Sequence, residues 1–521
     1  MITFRSATLL LAAAATLCAQ FPTPDQQPDT QSLVLQLRTL VRNSTAAESV
    51  RAQVSTLLDR ADALRDAGQI GEMRRVLANA ITLFEGQSWG PEQAFAWSLA
   101  LRPDQVVTEP GSPLIARLSQ FYSCPYKPSG TLELRASLAS AGAGNEPARR
   151  LGVYPISTRD WIDQPFGFEA SLEGVAEGAY QLRVELLDGG TAIATVASPI
   201  EVVRGILSDR ARIEGRLARI AGHDSTKASV RNPYVLAETI NTGRRHPTQA
   251  DFGIPFTPQP VVYDFQAGVR QSAELLKALE AGRDPLWRAN GDHERHYWFE
   301  EAREMMPYRV YVPEKWDGRS KLPMVFILHG ATRDDNFYFD RDGHILTKLA
   351  EQHGYLVVCP LGYRPTGGWG ASAMMSGGEM DWARLRQTQW SEQDALNVYD
   401  LITKEYPIDT SRVYLFGHSM GGTGAWYFGQ KFRERWAAVV SSAAAIAKPE
   451  AIPYERLNGV PLMVVVGEKD PLAAGVRATI KASKEHGLDP EFVEVPGATH
   501  ETIVALIEPR VFDFFDRHVK K

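Results

Sequence analysis

The sequence predicts an α/β chain: a mostly parallel sheet fills the carboxyl-terminal part, preceded by a helical region and a small antiparallel β-sandwich. Three observations predict it. From about residue 294, short all-apolar runs alternate with helical stretches, the pattern of a parallel sheet covered on both faces. Residues 110–204 alternate apolar and polar side chains, and Asp188-Gly189-Gly190 separates two such segments. Residues 30–105 repeat apolar side chains at helical spacing.

Length and composition bound the rest. The 521 residues correspond to three or so domains at roughly 150 residues each. Apolar residues make up 44%, enough to bury sizeable cores. A formal net charge of −6 and a pI near 6.1 argue against nucleic-acid partners and give no attraction to anionic membranes. The three cysteines, Cys18, Cys124 and Cys359, exclude a disulfide scaffold and contain no CxxC pair for zinc.

In chain order, Arg5 precedes an apolar run over residues 7–18, too short to span a bilayer. Small residues and a proline-rich stretch follow, so residues 1–19 read as a secretory signal peptide with cleavage after Cys18 or Ala19. Leu17 argues against lipidation of Cys18. No later stretch is long and apolar enough to cross a membrane, and the expected location is periplasmic or extracellular. Cys124 and Cys359 are then expected free and buried. Within 30–105, Leu33, Leu37, Leu40 and Val41, then Val54, Leu57, Leu58, Ala61 and Leu64, mark short antiparallel helices that turn near Gly68. Segments 131–138, 168–172, 180–187 and 191–197 are strands of the sandwich over 110–204, which we read as immunoglobulin-like. Residues 205–293 form a helical linker region whose clearest helix covers 266–281. Residues 294–521 form the α/β domain, with strands at 308–312, 324–328, 356–359, 413–416, 438–440, 462–466 and 492–495.

The strongest chemical signal is Gly417-His418-Ser419-Met420-Gly421, a G-x-S-x-G turn between an apolar strand and a helix. Such a turn strains the serine backbone, and its neighbours must lack a Cβ. A serine hydroxyl needs a base, and the base needs an acid to hold one tautomer. In the chain order that accompanies this turn, acid and then histidine follow the serine. His500, in the loop after strand 492–495, is the base; His486 falls in a helix and His518 near the chain end. Asp470, after strand 462–466, is the acid, with Glu468 as runner-up. The oxyanion donors are the backbone N–H of Met420 and that of Ala331, in the loop His329-Gly330-Ala331, where His329 fixes the loop.

From about Pro307 onward the chain resembles an α/β-hydrolase, and more narrowly the secreted branch of feruloyl-esterase-like and polyhydroxybutyrate-depolymerase-like proteins often labelled predicted peptidases. The segments that carry the resemblance are 308–313, 325–330, 408–422, 467–470 and 497–500. It implies a Ser–Asp–His hydrolase acting on esters, or sometimes peptides, without cofactor or metal. Residue by residue it implies Ser419, Asp470 and His500. The expected partner is an ester substrate, polymeric and glycan-linked esters included.

Two departures matter. Residues 444–462 leave little room for a lid, so the site is expected to be open. Residues 362–390 read as a long loop in which Trp369, Trp382 and Trp390 either line a pocket or pack against the amino-terminal part. Asp292-His293-Glu294-Arg295-His296 lacks a recognisable ligand spacing and reads as a solvated linker. Trp97 and Trp161 read as core. Two other functions use the same chain differently: a prolyl-oligopeptidase-like peptidase, disfavoured by the absence of propeller repeats, and a binding protein with an inert hydrolase-like domain.

Overall fold

The computed structural model describes residues 38, 41, 46–126, 128, 132–141, 148–157, 161, 164–243, 263–377, 380 and 382–520. Residues 1–19, with Cys18, lie outside them. The chain divides into two compact units: residues 1–216 with 233–271, and residues 217–232 with 272–521.

The first unit opens with a helical pair, α1 (Glu48–Asp66) and α2 (Ile70–Phe84). Val54, Leu58 and Ala61 face Met73, Val76, Leu77 and Ile81 in one apolar cluster, the stripe that helical spacing dictates. The turn between them is closed by Gln69 N–H to Leu64 O and Gly68 N–H to Arg65 O, with Gly68 at φ +71°. This is the helix end that only glycine forms without strain. After α3 (Pro91–Ser98) come β1 (Leu99–Pro103), β2 (Val107–Thr108), β3 (Pro113–Gln120), β4 (Leu132–Ser140), β5 (Arg149–Ile156), β6 (Phe166–Ser171), β7 (Gly178–Asp188) and β8 (Thr191–Val202). They form two sheets, β1-β3-β6 and β2-β8-β7-β4-β5, whose alternating inward side chains share one core that includes Trp161. All pairs are antiparallel except β2 with β8. Gly189 and Gly190, at φ +57° and +87°, make the two-residue β7–β8 hairpin loop. Cys124 is half-buried, not buried as expected, because its sulfur stays beside the polar Gln120 amide. The helices α4 (Arg210–Leu217), α5 (Asp224–Asn241) and α6 (Phe265–Glu280) follow.

The second unit is built on eight strands: β9 (Gly291–Phe299), β10 (Glu304–Val312), β11 (Leu322–Leu328), β12 (Leu356–Pro360), β13 (Ile408–His418), β14 (Ala438–Ser442), β15 (Leu462–Gly467) and β16 (Glu491–Val495). Their order is β16-β15-β14-β13-β11-β12-β10-β9, parallel throughout except where β10 pairs antiparallel with β9 and β12. The intervening helices are α7 (Phe337–Asp340), α8 (Ile345–His353), α9 (Ser372–Ser376), α10 (Trp382–Glu405), α11 (Met420–Lys431), α12 (Ala473–Glu485) and α13 (Ile503–Asp516). α10, α11 and α12 pack on one face through Val398, Trp426 and Val476; α8 and α13 cover the other through Ala350 and Phe512. Every residue of β11 is buried, which is why this strand reads as an unbroken apolar run.

Two expectations are corrected here. The segment Asp292–His296 is an edge strand, not a linker. Arg295 is wholly buried, donating to Glu405 at 2.7 Å and to the Tyr406 hydroxyl at 2.9 Å. A charged run mimics a linker because its partners lie 110 residues away. Residues 362–390 are not one loop. α9 and the start of α10 interrupt them; Trp369 is fully buried, Trp390 packs on Tyr363 and Phe299, and Trp382 is exposed.

Candidate active site

Strand β13 delivers His418 and then Ser419 to the carboxyl end of the sheet. Ser419 sits at φ 57°, ψ −119° before α11 begins at Met420. Such a conformation costs about 1–3 kcal/mol and persists only when its surroundings enforce it. Here they do. Ser419 N–H donates to Ser442 O at 2.8 Å, and Thr423 N–H returns to Ser419 O at 3.0 Å. A Cβ on Gly417 would collide with the Gly421 carbonyl, and one on Gly421 with the Leu328 carbonyl. The glycines are thus required by backbone atoms that cannot move aside.

The loop after β15 carries Asp470, whose side chain is completely buried. Its Oδ1 accepts the Leu472 N–H at 2.8 Å, and its Oδ2 lies 2.8 Å from His500 Nδ1. His500 Nε2 lies 2.9 Å from Ser419 Oγ. A carboxylate only accepts, so Nδ1 carries the ring proton and Nε2 faces the serine hydroxyl as an acceptor. Glu468, the alternative acid, goes elsewhere: its Oε2 accepts the Gly497 N–H at 2.7 Å and so braces the His500 loop. His486 bonds Ala482 O and His518 bonds Phe514 O, each within its own helix end.

His418 is buried, with Nδ1 3.1 Å from Ser442 Oγ and its ring centroid 4.7 Å from that of His500. Burial, and then the neighbouring His500, push its pKa well below the ordinary value. It therefore stays neutral and places no second cation against His500.

The loop after β11 passes directly beside the nucleophile position: a Cβ on Gly330 would lie 3.4 Å from Ser419 Cβ. His329 is buried, which pushes its pKa down to about 4. Its ring spans from Gly330 O (2.9 Å) to Leu361 O (2.7 Å). Trp369 Nε1 donates to His329 O at 3.0 Å. Trp369 is in turn held by Ser391 Oγ, which accepts its backbone N–H at 2.9 Å. Trp369 therefore supports the loop from behind and does not line an open pocket. The N–H groups of Met420 and Ala331 make no hydrogen bond among the described residues.

The "Putative esterase" family matches residues 299–479, a span that includes Ser419 and Asp470 and ends before His500. Over these residues the chain is similar to esterases, and the sheet that carries them is mostly parallel. The chain is 40% identical over 113 residues to a bifunctional acetylxylan esterase/xylanase of Neocallimastix patriciarum, covering 22% of this chain and 14% of that one. It is 26% identical over 162 residues to an S-formylglutathione hydrolase of Rattus norvegicus, covering 29% of this chain and 55% of that one. The chain thus spans about half, or far less, of the curated relatives it matches. Among solved structures, a ferulic acid esterase of Anaeromyces mucronatus aligns at 17% identity with a TM-score of 0.37, covering 44% of this chain and 90% of that one.

The contacts that sequence patterns missed are those that brace the site: Glu468 to Gly497, His418 to His500 and Trp369 to His329. Trp369 sat in a segment flagged for its aromatics, but nothing local assigns its partner.

Proposed function

We propose that this protein hydrolyses carboxylic esters through an acyl-enzyme on Ser419. One observation carries the reading: Ser419 Oγ stands 2.9 Å from His500 Nε2 while His500 Nδ1 stands 2.8 Å from a buried Asp470 carboxylate. His500 takes the Ser419 proton as Oγ attacks the ester carbonyl. The Met420 and Ala331 N–H groups receive the oxyanion. His500 then passes the proton to the departing alcohol, the C–O bond breaks, and the acyl group remains on Ser419. Water, deprotonated by the same ring, hydrolyses that acyl ester and restores the hydroxyl. Asp470 orients the ring and stabilises the imidazolium that forms in each half.

The substrate class we favour is a short acyl group on a bulky alcohol or thiol. The helical content between β14 and β15 is two short 3₁₀ turns, Pro449–Ala451 and Tyr454–Leu457, so no helical lid is inserted there. Relatives named for acetylxylan and S-formylglutathione fit the same class. Among the described residues no helix is long and apolar enough to cross a membrane. The apolar, small-residue pattern of residues 1–19 supports export, and the mass of the mature chain checks it.

The test is hydrolysis of nitrophenyl acetate and butyrate by the protein and by Ser419→Ala, beside a blocked proline-containing peptide. Ester turnover reduced at least about a thousandfold in the variant is expected. Peptide turnover without ester turnover, or full ester turnover in the variant, would overturn the reading.

A further inference from the structure

The loop after β11 presents Ala331, and the loop after β16 presents His500. Arg333 of the first loop and Arg341, just past α7, reach into the second. Arg333 Nη2 donates to Glu501 Oε2 at 3.1 Å. Arg341 Nη2 donates to the main-chain oxygen of Glu501 at 3.3 Å. Both guanidinium groups lie over the Phe337 ring, 4.5 and 4.7 Å from its centroid. Arg341 Nε also bonds Asp342. The two arginine side chains keep only 15% and 17% exposure, although Glu501 is 65% exposed. Arg333 N–H closes a turn on Gly330 O at 3.2 Å, across Ala331 itself. Thr332 and Asp342, flanking this stretch, hold φ of 65° and 50°. Non-glycine residues adopt that region only where the surrounding contacts impose it.

A merely exposed Arg–Glu pair contributes little, so stability alone is a weak reason for this arrangement. Its geometry is more specific than that. One acceptor is a backbone carbonyl of the residue next to His500. Both guanidinium groups rest over the Phe337 ring and are largely buried, which limits the freedom of their donors.

We infer that Arg333 and Arg341 are positioning residues: through Glu501 they tie the loop presenting the Ala331 N–H to the loop presenting His500, so that oxyanion donor and base keep one mutual geometry. The inference rests on the roles proposed above for His500 and Ala331. It matters because a misplacement of about 1 Å between reacting groups costs on the order of a hundredfold in rate. The groups that face His500 are Asp470 on Nδ1, Ser419 on Nε2 and the His418 ring; Glu501, its neighbour in the chain, holds the two arginines.

Arg341→Met keeps a long side chain against Phe337 and removes the donor; Arg341→Lys keeps the charge without the planar fork. Three readouts decide the matter: kcat and KM on nitrophenyl acetate, the rate at which a fluorophosphonate labels Ser419, and the low-field proton NMR signal of His500 Nδ1–H. For Arg341→Met we expect kcat and labelling to fall about tenfold, KM to stay within about twofold, and the low-field signal to broaden. Arg341→Lys should recover part of each. Arg333→Met combined with Arg341→Met should cost less than the product of the single losses. A lowered melting temperature with kcat, labelling and the NMR signal unchanged would overturn the inference. If Ser419→Ala keeps its ester turnover, the functional reading fails instead. The low-field signal still decides the clasp: broadening in Arg341→Met supports it, and a sharp signal refutes it.

Discussion

Asn in place of Asp470 preserves shape and removes charge, and the surrounding bonds dictate the consequence. The buried carboxylate serves two donors, Leu472 N–H through Oδ1 and His500 Nδ1–H through Oδ2, each at 2.8 Å. An amide has one oxygen. The Leu472 N–H can only donate, so the oxygen stays there and the NH2 turns to the ring. An NH2 also only donates, so Nδ1 must become the acceptor and the ring proton moves to Nε2. Nε2–H then points at Ser419 Oγ and cannot receive its proton. A wrong tautomer with intact geometry costs about 10⁴-fold in kcat in serine hydrolases with such a row, about 5 kcal/mol. The assay is steady-state hydrolysis of nitrophenyl acetate by Asp470→Asn, with a melting curve to show that the fold is retained. Glu468→Gln is the matched comparison. Its amide oxygen can keep the bond to Gly497 N–H, so a loss of less than about threefold is expected. Retention of a tenth of the wild-type kcat by Asp470→Asn, or a deeper loss in Glu468→Gln, would refute the reasoning.

Two further outcomes concern stability. Gly421→Ala drives a methyl into the carbonyls of Leu328 and His329, which are backbone atoms of the central strand and its loop. Urea titration should show a loss of more than about 2 kcal/mol together with loss of fluorophosphonate labelling. Glu508 on α13 is 1% exposed, neither carboxylate oxygen has a hydrogen-bond partner among the described residues, and burial pushes its pKa up to about 8. A raised carboxyl pKa means that the folded state holds a proton the unfolded chain releases. The neutral acid is therefore tolerated below about pH 4.5, and stability declines as pH rises from there through about 8. Glu508→Gln should raise the melting temperature more at pH 9 than at pH 5, and an equal effect at both would contradict the assignment.

Much of the second unit is legible locally. The runs at 324–328 and 462–466 are apolar on both sides because their strands are covered on both faces, and their content alone says so. The edge strand β9 is not legible, because Arg295 is buried only by virtue of Glu405 and Tyr406 at the far end of α10. The boundary of α10 was hidden for a related reason. Its first turns mix Arg, Gln and Thr with Trp, so no apolar stripe announces them, and tertiary contacts such as Ser391 with Trp369 mark the register. Ser419, Asp470 and His500 can each be singled out from a strand end followed by a turn. Glu468 remains as runner-up to Asp470 on that ground, since both follow β15 within three residues.

Local sequence specifies most of the helices and strands, a serine in a glycine-flanked turn, and an acid and a histidine that follow it. Backbone sterics and side-chain periodicity act over a few residues, so they are written locally. The tertiary structure alone decides that Asp470, not Glu468, meets His500, that Trp369 braces His329, and that Arg333 and Arg341 reach Glu501, 168 and 160 residues away. Hydrogen bonds and buried charges depend on partners brought close only by packing. Their geometry, and the chemistry it permits, belong to the folded chain.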